Sequence, residues 1–307
     1  MVVLTVVSAI GLAVDDRVLV GAPIWAKPFK FAVSFVAYAP TFAWMLSLLG
    51  RARPRLRRPG WWAGTVVAAA SMLEMVIITG QVIRGKRSHF NHETPFDSML
   101  YNTMALTVLV LWLAMLAIAL FLFRARLADR ATTWAVRCGA VLALAGAGLG
   151  FLMAQATPEQ VAAAGSGEAK IVGAHSVGVA DGGPGMPLTG WSTTGGDLRI
   201  AHFFGMHGLQ LIPLFLVLLV ALAPRFARLR DERVQLRLVL VAAGAYAAVL
   251  ALLTWQALRG QPLIHPDGAT LAAATLILVA GAAASFAALR TTPVTVTGDD
   301  TEKELAA

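Results

Sequence analysis

Four of the six histidines fall in two short segments, RGKRSHFNHETPFD at residues 84–97 and PLTGWSTTGGDLRIAHFFGMHGLQ at residues 187–210. Imidazoles grouped in this way are the side chains from which haem-iron and transition-metal sites are made. His89, His92, His202 and His207 are therefore the candidate metal ligands. His89 and His92 are three apart and share a face of any helix that runs through them, with Glu93 alongside. Pro95 interrupts such a helix, and Asp97 is expected to cap the span that follows. On a helical wheel with His202 at zero, Met206 falls near about 40°, Arg199 near about 60°, Gln210 near about 80° and His207 near about 140°. The polar residues thus occupy one arc, and Gly205 and Gly208 permit a neighbouring helix to come close.

Acid–base candidates lie beside these histidines. Glu74 sits ten residues before Arg84 in TVVAAASMLEMVIITGQVIRG, roughly 15 Å deep at about 1.5 Å per residue. An ionisable group at such depth costs at least ~2.5–3.5 kcal/mol, so it faces the protein interior and marks a site or a proton path unless it serves as hydrogen-bonded glue between helices. Gln81 follows on the same stripe, about 20° around the helix. Glu74, Asp97, Asp197 and Arg199 are the candidate catalytic residues, and Gln81, Trp191, Met206 and Gln210 the candidate contacts to a cofactor. Mixed His and Met ligands suit haem b or copper, and iron or zinc are compatible with the same donors. His175 and His265 are single loop histidines, expected to be solvated. Trp25, Lys27, Pro28, Lys30 and Trp255 read as the aromatic and basic belt of a membrane interface.

The elements that must position these residues are membrane helices. With 58% apolar and 14% charged residues, the chain is too hydrophobic for a soluble globular protein. Runs long enough to cross about 30 Å of hydrocarbon occur near residues 30–50, 61–83, 98–123, 132–155, 200–223, 237–258 and 269–289, and an eighth, residues 2–14, is short. The expected fold is an all-α polytopic bundle of about eight helices: one transmembrane domain over residues 1–290 with an outer loop at 156–199, and a disordered cytoplasmic tail at 291–307. Within the outer loop, residues 157–170 read as a spacer, while the remainder, with its Trp, Pro and Gly, reads as a segment that folds back over the bundle.

Alternate connections carry the arginines: Arg51 to Arg58, Arg124 to Arg137, and Arg225 to Arg237. By the positive-inside rule these face the cytoplasm, as do both termini, and the histidine segments face outward. The same arginines account for the net charge of +8, so a nucleic-acid partner is not implied and the lipid bilayer is. A single cysteine, Cys138, excludes an intrachain disulfide, a CxxC metal site and CxxCH haem attachment.

The segments RGxxSHFNxxTPFD and PLTGWSTTGGDLRxxHFxGxHxLQ resemble those of a group of multi-pass bacterial membrane proteins to which no activity is attached. That resemblance implies a bacterial inner (plasma) membrane location and transfers no residue roles. From the residues, the leading expectation is a cofactor protein with redox chemistry, with quinone or another membrane-soluble molecule as partner. A permease lined by Glu74 and the His202 arc, a metal-dependent membrane hydrolase and an assembly factor for a membrane complex use the same residues.

Overall fold

The computed structural model describes residues 1–164 and 170–290. The expected tail at 291–307, and residues 165–169 of the expected spacer, lie outside the described residues. The chain is an all-α polytopic membrane protein. Ten α-helices are present among the described residues: α1 (Val2–Val14), α2 (Ala26–Ala52), α3 (Arg57–Ile83), α4 (Pro95–Arg124), α5 (Arg130–Gly148), α6 (Gly150–Met153), α7 (Pro158–Ala164), α8 (Leu198–Leu222), α9 (Glu232–Leu258) and α10 (Gly268–Arg290). Seven segments among the described residues are long and apolar enough to cross a bilayer. The short first run is a helix of 13 residues, roughly 20 Å at about 1.5 Å per residue, and does not match the hydrocarbon thickness. It packs through Met1 and Leu4 on a cluster that contains Met75, Ile78 and Met104.

Helix starts are set by side-chain caps, which satisfy backbone N–H groups that the first turn leaves without partners. Asp129, Asp197 and Asp231 accept from backbone N–H groups of α5, α8 and α9. At α4 the cap is Thr94 rather than the expected Asp97: the Thr94 hydroxyl oxygen accepts from the Asp97 N–H, and Pro95 occupies the first turn, where it costs no hydrogen bond.

The closest helix pair is α5 with α8, and glycine makes it possible. A Cβ on Gly146 would lie 2.4 Å from the Met206 nitrogen, one on Gly205 2.5 Å from the Gly146 Cα, and one on Gly139 2.9 Å from the Gly208 carbonyl oxygen. Two apolar clusters meet along this seam. One joins α5, α8 and α9 through Leu142, Ala201, Ile212 and Val239, and the other joins α2, α4 and α5 through Met45, Leu49, Leu122 and Val136.

The long connection folds back over the bundle end that carries the histidines. Two short antiparallel strands, β1 (Ser176–Val177) and β2 (Gly196–Asp197), close it on itself. Hydrogen bonds then tie it to the helices: His92 N–H to the Lys170 carbonyl at 2.8 Å, Val172 N–H to Phe90 at 3.0 Å and Ala174 N–H to Met153 at 2.9 Å. Gly196 lies so close to α9 that a Cβ would fall 1.9 Å from the Ala257 carbonyl oxygen. Phe90 takes a φ of +64°, which an L side chain adopts only at a cost of about 1–3 kcal/mol. Burial of its ring with Met153, Leu198 and Ala257 offsets that cost.

Candidate functional site

His202 lies in the second turn of α8, where the glycine seam brings α5 alongside. Its Nδ1 is 2.8 Å from the Gly146 carbonyl oxygen. A carbonyl can only accept, so the ring proton sits on Nδ1 and the lone pair on Nε2. The break between α5 and α6 makes room for the ring, since a Cβ on Gly150 would stand 3.2 Å from its Cε1.

His175 is fixed in the same tautomer by different means. Its Nδ1 lies 2.8 Å from Oδ2 of Asp181, and that carboxylate also accepts from the backbone N–H groups of His175 and Ser176. Burial opposes the charge on Asp181, but the hydrogen bonds from His175 outweigh it and hold the carboxyl below its usual range. The imidazole is pushed below the ordinary histidine value by burial, against the pull of Asp181, with the charges of Lys27 and Arg199 adding to the shift. It is half-buried, where a solvated histidine was expected.

His89 completes the group. Its Nδ1 stands 3.0 Å from Lys27 Nζ and 3.1 Å from Ser88 Oγ. Burial, then the Lys27 charge, then His175 and His202, hold it well below the ordinary histidine value. Three imidazoles thus share one neighbourhood. An ammonium can only donate, so with Lys27 charged the His89 proton sits on Nε2. His175 and His202 offer lone pairs, while His89 offers a donor.

The remaining candidates divide between this neighbourhood and its frame. Glu74 is 6% exposed, its Oε1 has no hydrogen-bond partner, and the charge acting on it is the Lys27 ammonium. Gln81 and Asp97 are buried and joined to each other at 3.1 Å; Asp97 also accepts from Arg84 at 2.7 Å and from the Thr94 hydroxyl at 2.7 Å. Gln81 further donates to the Arg87 carbonyl and accepts from Arg84. Asp197 and Arg199 form a bidentate pair at the start of α8; Arg199 reaches on to the Gly190 carbonyl at 2.8 Å, and Asp197 accepts from the Ser192 N–H at 2.8 Å. These carboxylates are engaged in holding the loop and the helix starts.

His92 bonds Ser98 through Nδ1 at 3.2 Å and packs its ring on Tyr101 at 5.3 Å. His207 lies deeper, its ring centre 5.6 Å from that of Tyr38. Met206 has its backbone nitrogen at the crossing with Gly146, and half-buried Trp191 accepts through its carbonyl from the Met186 N–H at 2.8 Å. Gln210 lies against the Tyr38 hydroxyl with its carboxamide buried. Of the four histidines singled out in the sequence, His89 and His92 both pack on the Tyr101 ring, at 6.5 and 5.3 Å, His202 acts electrostatically on His89, and His207 packs on Tyr38. Among the described residues, no three His, Cys, Asp or Glu side chains are grouped so as to hold one metal ion.

Sequence reasoning missed Lys27, Lys30, His175 and Asp181. Lys30 Nζ turns inward to the Thr189 carbonyl at 2.6 Å, and Lys27 to His89, so neither is merely a belt residue. Their signal was the spacing Lys27, Lys30, Ser34, Tyr38, a polar stripe at helical period on α2. His175 and Asp181 pair across a glycine-rich loop, and no periodicity announces such a pair. His265 is exposed, in line with the expectation for it.

Comparison of the chain with protein-family models, with curated proteins and with solved structures finds no match. The functional reading rests on the side chains themselves.

Proposed function

We propose that this integral membrane protein binds a redox metal, copper or iron, free or as haem b, through His175 and His202 at its non-cytoplasmic end. In this reading it lies in the bacterial inner membrane with both termini cytoplasmic and exchanges electrons with a membrane-soluble partner of the quinone class. One observation carries the assignment: both imidazoles have Nδ1–H held by a fixed acceptor, a carbonyl in one and a carboxylate in the other, which leaves Nε2 as the free donor atom. That is the orientation by which proteins present histidine to a metal. His175 and His202 would hold the metal, which would supply one-electron chemistry when bound. Lys27 and Glu74 would then serve as proton-handling groups beside it, and Asp97, Asp197, Arg199 and Gln81 as its frame.

Metal analysis and an optical spectrum of the detergent-purified full chain test the proposal. The expected result is a stoichiometric metal or a Soret band. Absence of both would overturn the metal reading and leave the same polar neighbourhood to a permease.

A further inference from the structure

The loop that folds over the bundle carries a tight hairpin, Met186 to Trp191, with Leu188 at its tip. The Met186 N–H donates to the Trp191 carbonyl at 2.8 Å, and the Gly190 N–H to the Met186 carbonyl at 2.9 Å. Inside these bonds the Thr189 N–H donates to the Pro187 carbonyl at 2.7 Å, with Leu188 between them at a φ of +66°. A three-residue turn closed in this way with its central residue at positive φ is a strained γ-turn. Glycine or asparagine takes that conformation at least cost, but the residue is a leucine, and it is 95% exposed. At that exposure packing within the chain does not offset the strain.

Two cations fix where the tip stands. Lys30 Nζ donates to the Thr189 carbonyl at 2.6 Å, and Arg199 to the Gly190 carbonyl at 2.8 Å. Lys30 lies in the second turn of α2 and Arg199 in the first turn of α8, so the hairpin sits level with the ends of two spans. Val33 and Ala37, three and seven residues beyond Lys30, are exposed, which puts Lys30 at the border of the lipid-facing side of α2. The hairpin is therefore at the rim of the bundle. Residues 182–196 include no charged side chain.

We infer that the Leu188 tip inserts into the lipid leaflet at the histidine-bearing end of the bundle, and so anchors the loop that carries His175 and Asp181. Burial of a leucine in hydrocarbon offsets what its strained, exposed position costs. Pro187 has no N–H, and those of Met186, Thr189 and Gly190 are already paired, so the tip enters the interface with little backbone left to desolvate. Trp191, at the base of the hairpin, is the residue type that settles at head-group level. An uncharged tip also offers no ionic group by which a protein partner would be selected. The inference goes beyond the metal reading and does not depend on it.

The full-length chain carrying Leu188→Cys in a Cys138→Ser background is labelled at that position with the fluorophore NBD and reconstituted into phosphatidylcholine nanodiscs. Quenching is read with lipids bearing a nitroxide on the acyl chain and with aqueous iodide. The native chain in nanodiscs is footprinted with hydroxyl radicals, and Leu188→Asn, which keeps the positive φ but removes the apolar side chain, is probed by limited proteolysis. Nitroxide lipid is expected to quench several-fold more than iodide. Native Leu188 is expected to oxidise several-fold more slowly than in the denatured chain, and the 170–197 segment of Leu188→Asn to be cut several-fold faster than in the wild type. Iodide quenching equal to or above that by nitroxide lipid, or protection from both as under a protein partner or a second copy, would overturn the inference. So would native Leu188 oxidised as fast as in the denatured chain, or unchanged proteolysis of Leu188→Asn.

Discussion

The His202 ring on α8 is tethered to α5 by a 2.8 Å hydrogen bond from Nδ1 to the Gly146 carbonyl, at the crossing where Gly146 and Gly205 face each other with no room for a side chain. Helix packing and imidazole orientation are thus one feature. Gly146→Ala would press a methyl group against the Met206 nitrogen, 2.4 Å away, and push the helices apart. The expected cost is about 1–3 kcal/mol of stability, as for other overpacked interiors. Thermal unfolding in detergent checks it, and an unfolding temperature equal to that of the wild type would contradict the packing account.

His89 and His175 are both held below the ordinary histidine value, by burial first in each. The unfolded chain therefore takes up these protons earlier as the pH falls. Stability is full above pH ~6.5, the unperturbed value, and declines as acidification proceeds toward the lower folded values. Each histidine contributes a slope of at most about 1.4 kcal/mol per pH unit. His89→Gln should flatten the decline between neutral and mildly acidic pH, as read by unfolding across that range. A wild type that gains stability on acidification would contradict it.

Helices were legible because a bilayer imposes one simple rule on sequence: about twenty apolar residues per crossing and every backbone group paired within the helix. The α8 arc was legible for the same reason, since Arg199, His202, His207 and Gln210 repeat at helical period. The arc did not predict partners. His207 and Gln210 face the Tyr38 region, whereas His202 meets Gly146, so one stripe serves two places. The His175–Asp181 pair depends on how a glycine-rich loop folds over other segments, a long-range arrangement that local spacing does not encode. Asp97 and Asp197 read as catalytic acids in sequence, but buried carboxylates at helix starts are equally what capping and arginine pairing require.

The Asp197–Arg199 pair should prove structural. The Asp197 side chain is fully buried and accepts from Arg199 at 2.5 Å and from the Ser192 N–H at 2.8 Å. Asp197→Asn leaves Arg199 without its counter-charge and should cost about 3–5 kcal/mol, the usual penalty for breaking a buried ion pair. Arg199→Lys should not restore full stability, because a lysine cannot make the bidentate contact. Limited proteolysis of the 170–197 segment provides the readout, and wild-type resistance in Asp197→Asn would sink the assignment.

Asp181→Asn isolates the role of the carboxylate behind His175. Loss of a partner of this kind weakens metal binding by about 10–100-fold in sites where the histidine is a ligand. The variant should retain its fold, judged by circular dichroism, and release its metal to a chelator at correspondingly lower concentration. Unchanged metal retention would mean that His175 is not a ligand.

The most direct test of the metal assignment is metal stoichiometry, compared among purified wild type, His175→Ala, His202→Ala and His207→Ala. The account predicts a stoichiometric metal in wild type and in His207→Ala, and its loss from both His175→Ala and His202→Ala. Wild-type protein without metal, or metal lost on replacing His207 but retained on replacing His175 and His202, would contradict it.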